Sequence, residues 1–174
     1  MEKFVKRNEI YHGKIISVVC DDVTVDDHPT KREVVQHNGG ACIALRDNDG
    51  KVFMVRQYRY ALEEDMLEFC AGKIEKDEDP DQAILRESEE ELGYSVKDLV
   101  KFPYMVPTCG YSNEKIYLYY GVVDKKVGQH LDLDERIDVE KYSYDEIEKM
   151  IMEGEIIDAK TICLMFDIKA AGLL

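Results

Sequence analysis

The chain has 174 residues and 45% hydrophobic content, which suits one domain with a real core, and it contains no apolar run long enough to cross a membrane. A formal net charge of −14 sets it against nucleic acid and anionic membrane surfaces, since both are polyanions and no Lys/Arg cluster offsets the repulsion. MEKFVKRNEI lacks the apolar stretch of a signal peptide, and Cys20, Cys42, Cys70, Cys109 and Cys163 are odd in number with no zinc-site spacing, so reduced thiols and a cytoplasmic location are expected.

In chain order, Glu9 to Asp26 alternates apolar and polar residues (Ile10, Ile15, Val18, Val23, Val25) and predicts strand pairs, with a turn at Asp27-His28-Pro29. Arg32 to His37 reads as a further strand. Ala41 to Leu45 and Val52 to Val55 flank Asp47-Asn48-Asp49-Gly50 and predict a hairpin. The same acids suggest a calcium loop, but Leu45 and Arg56 stand where an EF-hand needs acids. A short strand is expected at Met66 to Phe69, then a helix from Pro80 to Leu92 with Asp79 as N-cap, Gln82 completing a capping box and Gly93 as left-handed C-cap. Strands follow at Lys101 to Val106, Lys115 to Val123 and Asp138 to Tyr142. Two helices close the pattern, Tyr144 to Glu153 and, capped by Asp158, Ala159 to Ala171. The sum is mixed α/β.

The central helix carries LRESEEELGY, residues 85–94, with five glutamates in ten positions. Like charges one turn apart cost a few tenths of a kcal/mol per pair. At about 100° per residue, Glu87, Glu90 and Glu91 share an arc of about 100° while Glu89 points away. Ile84, Leu85, Ser88 and Leu92 form the adjoining, mostly apolar stripe. Helix geometry alone leaves two readings open, a solvated acidic face or a site that expects a cation.

Gly72, Glu78, Arg86-Glu87, Glu90-Glu91 and Gly93 fill all seven fixed positions of the box that defines Nudix hydrolases, and over these residues the sequence resembles that family. The resemblance implies a Nudix-type α/β/α sandwich with a mixed central sheet, preceded by a small N-terminal antiparallel β region over 1–38, with the hydrolase domain at 39–174. It implies Mg²⁺, with Mn²⁺ as an alternative, held by Glu87, Glu90, Glu91 and the backbone carbonyl of Ala71. Such a cation suits the chemistry, because it neutralises diphosphate oxygens, orients the substrate and acidifies the attacking water. Arg86 would support catalysis by orienting Glu90, and Glu78 would brace the loop and helix start.

VRQYRYALEEDMLEFCAG (55–72), VPTCGYSNEKIYLYY (106–120), GEIIDAKTICLM (154–165) and REVVQHNGG (32–40) resemble ADP-ribose pyrophosphatases within the family. That likeness implies hydrolysis of a nucleoside diphosphate sugar, ADP-ribose to AMP and ribose 5-phosphate. Alternatives are another sugar such as GDP-mannose, or a sensor that binds without cleaving. Arg56, Arg59, Glu68 and Glu114 become substrate-side candidates, with Glu68 expected on the same strand as Ala71. Tyr58, Tyr60 and Tyr111 could stack on a base, though aromatics on strands usually pack in the core. Glu135, in HLDLDERIDVEKY (130–142), is the candidate general base, with Asp132 and Asp134 behind it. A homodimer built through the N-terminal strands is also implied. Three positions depart from the family pattern: Cys70 and Cys109 replace prolines, and Ser88 replaces an apolar box residue.

Overall fold

The computed structural model describes residues 1–131, 133 and 135–173. Strand β1 (Glu2–Lys6), β2 (Glu9–His12), β3 (Ser17–Val25) and β4 (His28–Gln36) make a four-stranded antiparallel sheet. β3 is its hub, paired with β4 along its whole length, with β1 near its end and with β2 near its start. The β3–β4 reversal is a two-residue turn at Asp26 (φ 48°) and Asp27 (φ 68°). It lies one residue earlier than the expected turn, because left-handed backbone at two successive positions is a conformation that aspartate tolerates better than most residues. His28 and Pro29 consequently belong to β4, which pairs with β3 along its length and bridges Ser112 only at Val35, far from Pro29; proline is tolerated where a strand edge is open.

The second sheet holds β5 (Gly40–Arg46), β6 (Val52–Arg59), β7 (Glu64–Glu68), β8 (Cys70–Lys73), β9 (Tyr94–Lys101), β10 (Ile116–Lys126) and β11 (Ile137–Tyr142) in the order β11-β6-β5-β10-β9, with β7 on β6 and β8 on β5. β5 and β10 run parallel and the other pairs antiparallel. β5 is buried on both faces. Ala41, Ile43 and Leu45 pack with Phe53, Val55, Ala83, Ile84 and Leu92 on one side. Cys42 and Ala44 pack with Met54, Phe69, Leu118, Ile147, Leu164 and Ile168 on the other. The first group takes α1 (Pro80–Glu87) and the π turn that extends it (Ser88–Leu92); the second takes α2 (Tyr144–Glu153) and α3 (Ala159–Ala170). The result is the expected α/β/α sandwich with a mixed sheet.

Several local expectations need correcting. The strand placed at Lys101 to Val106 is β9, centred several residues earlier; of the expected span only Lys101 lies in it, paired with Tyr119, and Met105 makes an isolated bridge to Ile116. β9 has an aspartate, Asp98, at φ 52° and a shifted register, which breaks the alternation that marks a strand. Phe69 separates β7 from β8, so Glu68 and Ala71 lie on different strands. Asp79 caps α1 by accepting from the Asp81 N–H at 2.8 Å, a contact that does not involve Gln82. In the β5–β6 turn the Asp47 carboxylate accepts from the Asp49 and Lys51 N–H groups at 2.9 Å each and pairs with Lys141 at 2.9 Å.

Candidate active site

The acid-bearing helix lies over β8 with its polar flank toward a cleft of two lobes, about 390 and 380 Å³, that share Ile15, His37, Lys73, Glu87 and Glu135. Glu90 lines the first lobe; Glu91, Ala71 and Gly72 line the second. Glu89 is exposed, as the wheel requires. The box glycine has a steric role: a Cβ on Gly72 would stand 1.8 Å from Cδ of Glu87, so the carboxylate rests directly on the strand backbone. Gly93 closes the helix at φ 75°.

Arg86 ties the acids to the loop before them. Its Nε and Nη2 donate to the two oxygens of Glu78 at 3.0 and 3.1 Å, and Nη1 donates to Glu87 Oε1 and Glu90 Oε2 at 2.8 Å each. Glu78 also accepts from the Glu75 N–H, so it braces the loop as expected. The guanidinium holds the Glu78 carboxyl below the usual range. Arg86 itself is pushed up, first by Glu78.

Glu91 is different. It is 4% exposed, and its Oε2 has no hydrogen-bond partner among the described residues. Burial pushes its carboxyl up to about 7, the Cys70 thiol pulls it partly back, and the charges of Glu87 and Glu135 add to the rise. Glu87 is raised as well, by burial against the pull of Arg86. Two desolvated carboxylates side by side, one with an orphaned oxygen, form a hard-oxygen donor set that a divalent cation would compensate. Among the described residues no three acids already converge in metal-holding geometry. Arg86 Nη1 occupies one oxygen each of Glu87 and Glu90. The chemistry of the donors therefore fits a cation.

Across the second lobe stands a cationic wall that sequence reasoning found only in part. Arg59 grips both oxygens of the buried Glu68 at 2.6 and 2.8 Å. Lys160, at the start of α3, bonds Glu68 Oε2 and reaches Asp158 Oδ1 at 3.0 Å. Asp158 also accepts from Thr161, whose hydroxyl receives the Phe69 N–H, so the wall ties α3 to β7 and to the residue that follows it. Burial pushes the Glu68 carboxyl up, yet Arg59 and Lys160 outweigh it and hold it below its ordinary value. Lys160 was missed because its partner lies 92 residues away. The signal available was the cap itself: a lysine just after Asp158 in a segment already noted for its likeness.

The remaining candidates separate. Glu114 and Glu135 line the second lobe, Glu114 with His37 Nδ1 3.5 Å away. Arg56 lines neither lobe and pairs with Glu140 across β6 and β11 at 2.6 Å. Tyr58, Tyr60 and Tyr111 are exposed, contrary to the core placement expected of strand aromatics. Cys70 is buried, Cys109 is exposed, and both are free thiols. Asp132 and Asp134 lie outside the described residues.

Comparison with known proteins extends this geometry. A family model of the NUDIX domain matches residues 36–165. The chain is 37% identical over 164 residues to the methanol dehydrogenase activator of Bacillus methanolicus, covering 92% of this chain and 89% of that one. It is 34% identical over 165 residues to the ADP-ribose pyrophosphatase of Bacillus subtilis (strain 168), covering 92% and 88%. A GDP-mannose pyrophosphatase of Yersinia enterocolitica serotype O:8 is 34% identical over 166 residues, covering 86% and 85%. A match of that extent, on a fold whose central helix turns its box acids into a cleft, shows the family: this protein is a Nudix hydrolase.

Proposed function

We propose that the protein hydrolyses the diphosphate bond of ADP-ribose in a Mg²⁺-dependent reaction, giving AMP and ribose 5-phosphate. The observation that carries this reading is the pairing, within one lobe, of the acids Glu87, Glu91 and Glu135, the first two desolvated, with the cations Arg59 and Lys160. A diphosphate sugar needs both, because its oxygens repel a bare acidic cleft while the attacking water must lose a proton. The likeness to the B. subtilis ADP-ribose pyrophosphatase supports the choice of sugar nucleotide.

In this reading Glu87, Glu90, Glu91 and the Ala71 carbonyl would hold Mg²⁺ or Mn²⁺. When bound, the ion neutralises diphosphate charge and lowers the pKa of a coordinated water. Arg86 orients Glu90 and Glu87. Glu135, on the facing segment, takes the proton from the attacking water as general base. Arg59 and Lys160 face the substrate oxygens opposite the acids, and Glu68 keeps those two cations in place. Arg56 and Glu114 extend the substrate side, with Arg56 acting from outside the two lobes.

The GDP-mannose pyrophosphatase relatives favour a second reading, the same hydrolysis on a different sugar nucleotide. The Nudix box sets the diphosphate chemistry and leaves the appended groups open. A turnover panel of ADP-ribose, GDP-mannose and ADP-glucose, with and without Mg²⁺, separates them: kcat/KM is expected to be highest for ADP-ribose and to vanish in EDTA. A higher value for GDP-mannose overturns the first reading, and binding without turnover of any of the three favours a sensor. The proposal includes a cytoplasmic homodimer with no nucleic-acid or membrane partner. Exposed Phe4, Val5, Ile10 and Tyr11 on the N-terminal sheet support the dimer, and sedimentation tests it.

A further inference from the structure

The acid-bearing helix does not remain α-helical. At Ser88 it widens into a π turn that ends at Gly93, whose N–H reaches the carbonyls of both Glu89 and Ser88. Such turns are rare and gather at functional sites, so this one calls for a local cause. Two side chains supply it. Ser88 is wholly buried and donates its hydroxyl to the Ile84 carbonyl at 2.7 Å. Cys70, wholly buried beneath the helix, brings its thiol to 3.8 Å from the Glu87 carbonyl. A hydroxyl bonded to the carbonyl one turn earlier loads that acceptor and bends or re-registers the helix. Both residues stand at positions where this chain departs from the family pattern, and the residues they replace, an apolar side chain and a proline, have no side-chain hydrogen to give.

The widening changes where the acids point. In a continuous α-helix Glu91 would stand about 40° around the axis from Glu87. A π turn advances by a smaller angle per residue, so Glu91 swings back over Glu87 and Glu90 swings away. Exposure follows that rotation: Glu91 is 4% exposed, whereas the Glu90 side chain is 42% exposed and held from the side by Arg86.

We infer that Ser88, with Cys70 beneath it, is a positioning residue that holds the π turn and thereby sets Glu91 beside Glu87 for a shared divalent cation. The inference rests on the reading of these acids as cation ligands. Its test uses the full chain without substrate and titrates Mn²⁺ alone, following the free ion by electron paramagnetic resonance. Ser88→Ala is expected to weaken Mn²⁺ binding about 10-fold, the scale at which groups supporting metal ligands act, with the melting temperature nearly unchanged. Cys70→Ala is expected to shift affinity in the same direction by less. A double-mutant cycle separates positioning from a general structural effect: in a Glu91→Gln background the Ser88→Ala effect should vanish. If Ser88→Ala binds Mn²⁺ within twofold of the parent, or weakens it equally in both backgrounds, the inference fails while the ligand reading stands. If the parent binds no Mn²⁺, or Glu91→Gln binds it as well as the parent, the ligand reading fails and takes the inference with it.

Discussion

Glu91 lines the second lobe, Glu68 binds two of the cations that line it, Arg59 and Lys160, and the two acids, 4% and 2% exposed, meet opposite fates. Glu68 has both oxygens bonded by Arg59 and one by Lys160, and its carboxyl is held below the ordinary value. Glu91 has an oxygen without a partner among the described residues, and its carboxyl is pushed up to about 7. Burial is equal, so compensation decides. A fully paired buried acid is structural cement, whereas a buried acid left half-satisfied stores an electrostatic cost that a cation can relieve.

The contrast breaks most visibly if Glu68 is neutralised. Glu68→Gln leaves the buried Lys160 with Asp158 alone and the part-exposed Arg59 without its partner, and a loss of about 3 kcal/mol, the low end for a broken buried pair, is expected in urea unfolding. A change below about 1 kcal/mol would mean the wall is held by Asp158 alone.

For Glu91 the sign reverses. Its folded pKa lies above the unfolded one, so the folded state holds its proton more tightly, and the metal-free protein loses stability as pH rises from the ordinary carboxylate range to about 7. The loss is about 3 kcal/mol and is absent from Glu91→Gln. The difference between parent and variant in EDTA, measured from pH 4 to pH 8, isolates it; a flat difference contradicts the raised pKa.

Next in size, Gly72→Ala puts a methyl group where the Glu87 carboxylate rests. The carboxylate is the far end of a flexible chain and can swing aside, so stability should hardly move while turnover falls about 100-fold, as misplacement by an ångström can cause. Equal losses of stability and activity would show that Gly72 serves the loop and not the carboxylate. The smallest effect is expected at Arg56, whose pair with Glu140 is part-exposed: Arg56→Gln should cost about 0.5 kcal/mol or less. KM should rise in the same variant, because Arg56 extends the substrate side from outside the two lobes; an unchanged KM would leave Arg56 to its pair with Glu140 alone.

How much of this could be read in advance depends on how local the cause is. The limits of α2 and the start of α3 were legible because Ser143, Gly154 and Asp158 cap them through bonds to nearby backbone. The box acids were legible because their spacing is one helix face. β1 was not, since every residue of it is exposed and no apolar period marks it. β8 is four residues long and owes its existence to β5. Lys160 and the Arg56–Glu140 pair depend on contacts across most of the chain. The π turn hides in a serine whose hydroxyl takes a carbonyl four residues back, which no hydrophobic pattern reports.

Turnover of ADP-ribose by Glu91→Gln at saturating Mg²⁺ tests the central claim most directly. The account predicts a fall in kcat of about 1,000-fold, the scale of several kcal/mol of lost charge stabilisation, in a protein that melts no lower than the parent in EDTA at pH 8. Parental turnover from that variant would contradict it, because the orphaned carboxylate would then have no part in the chemistry.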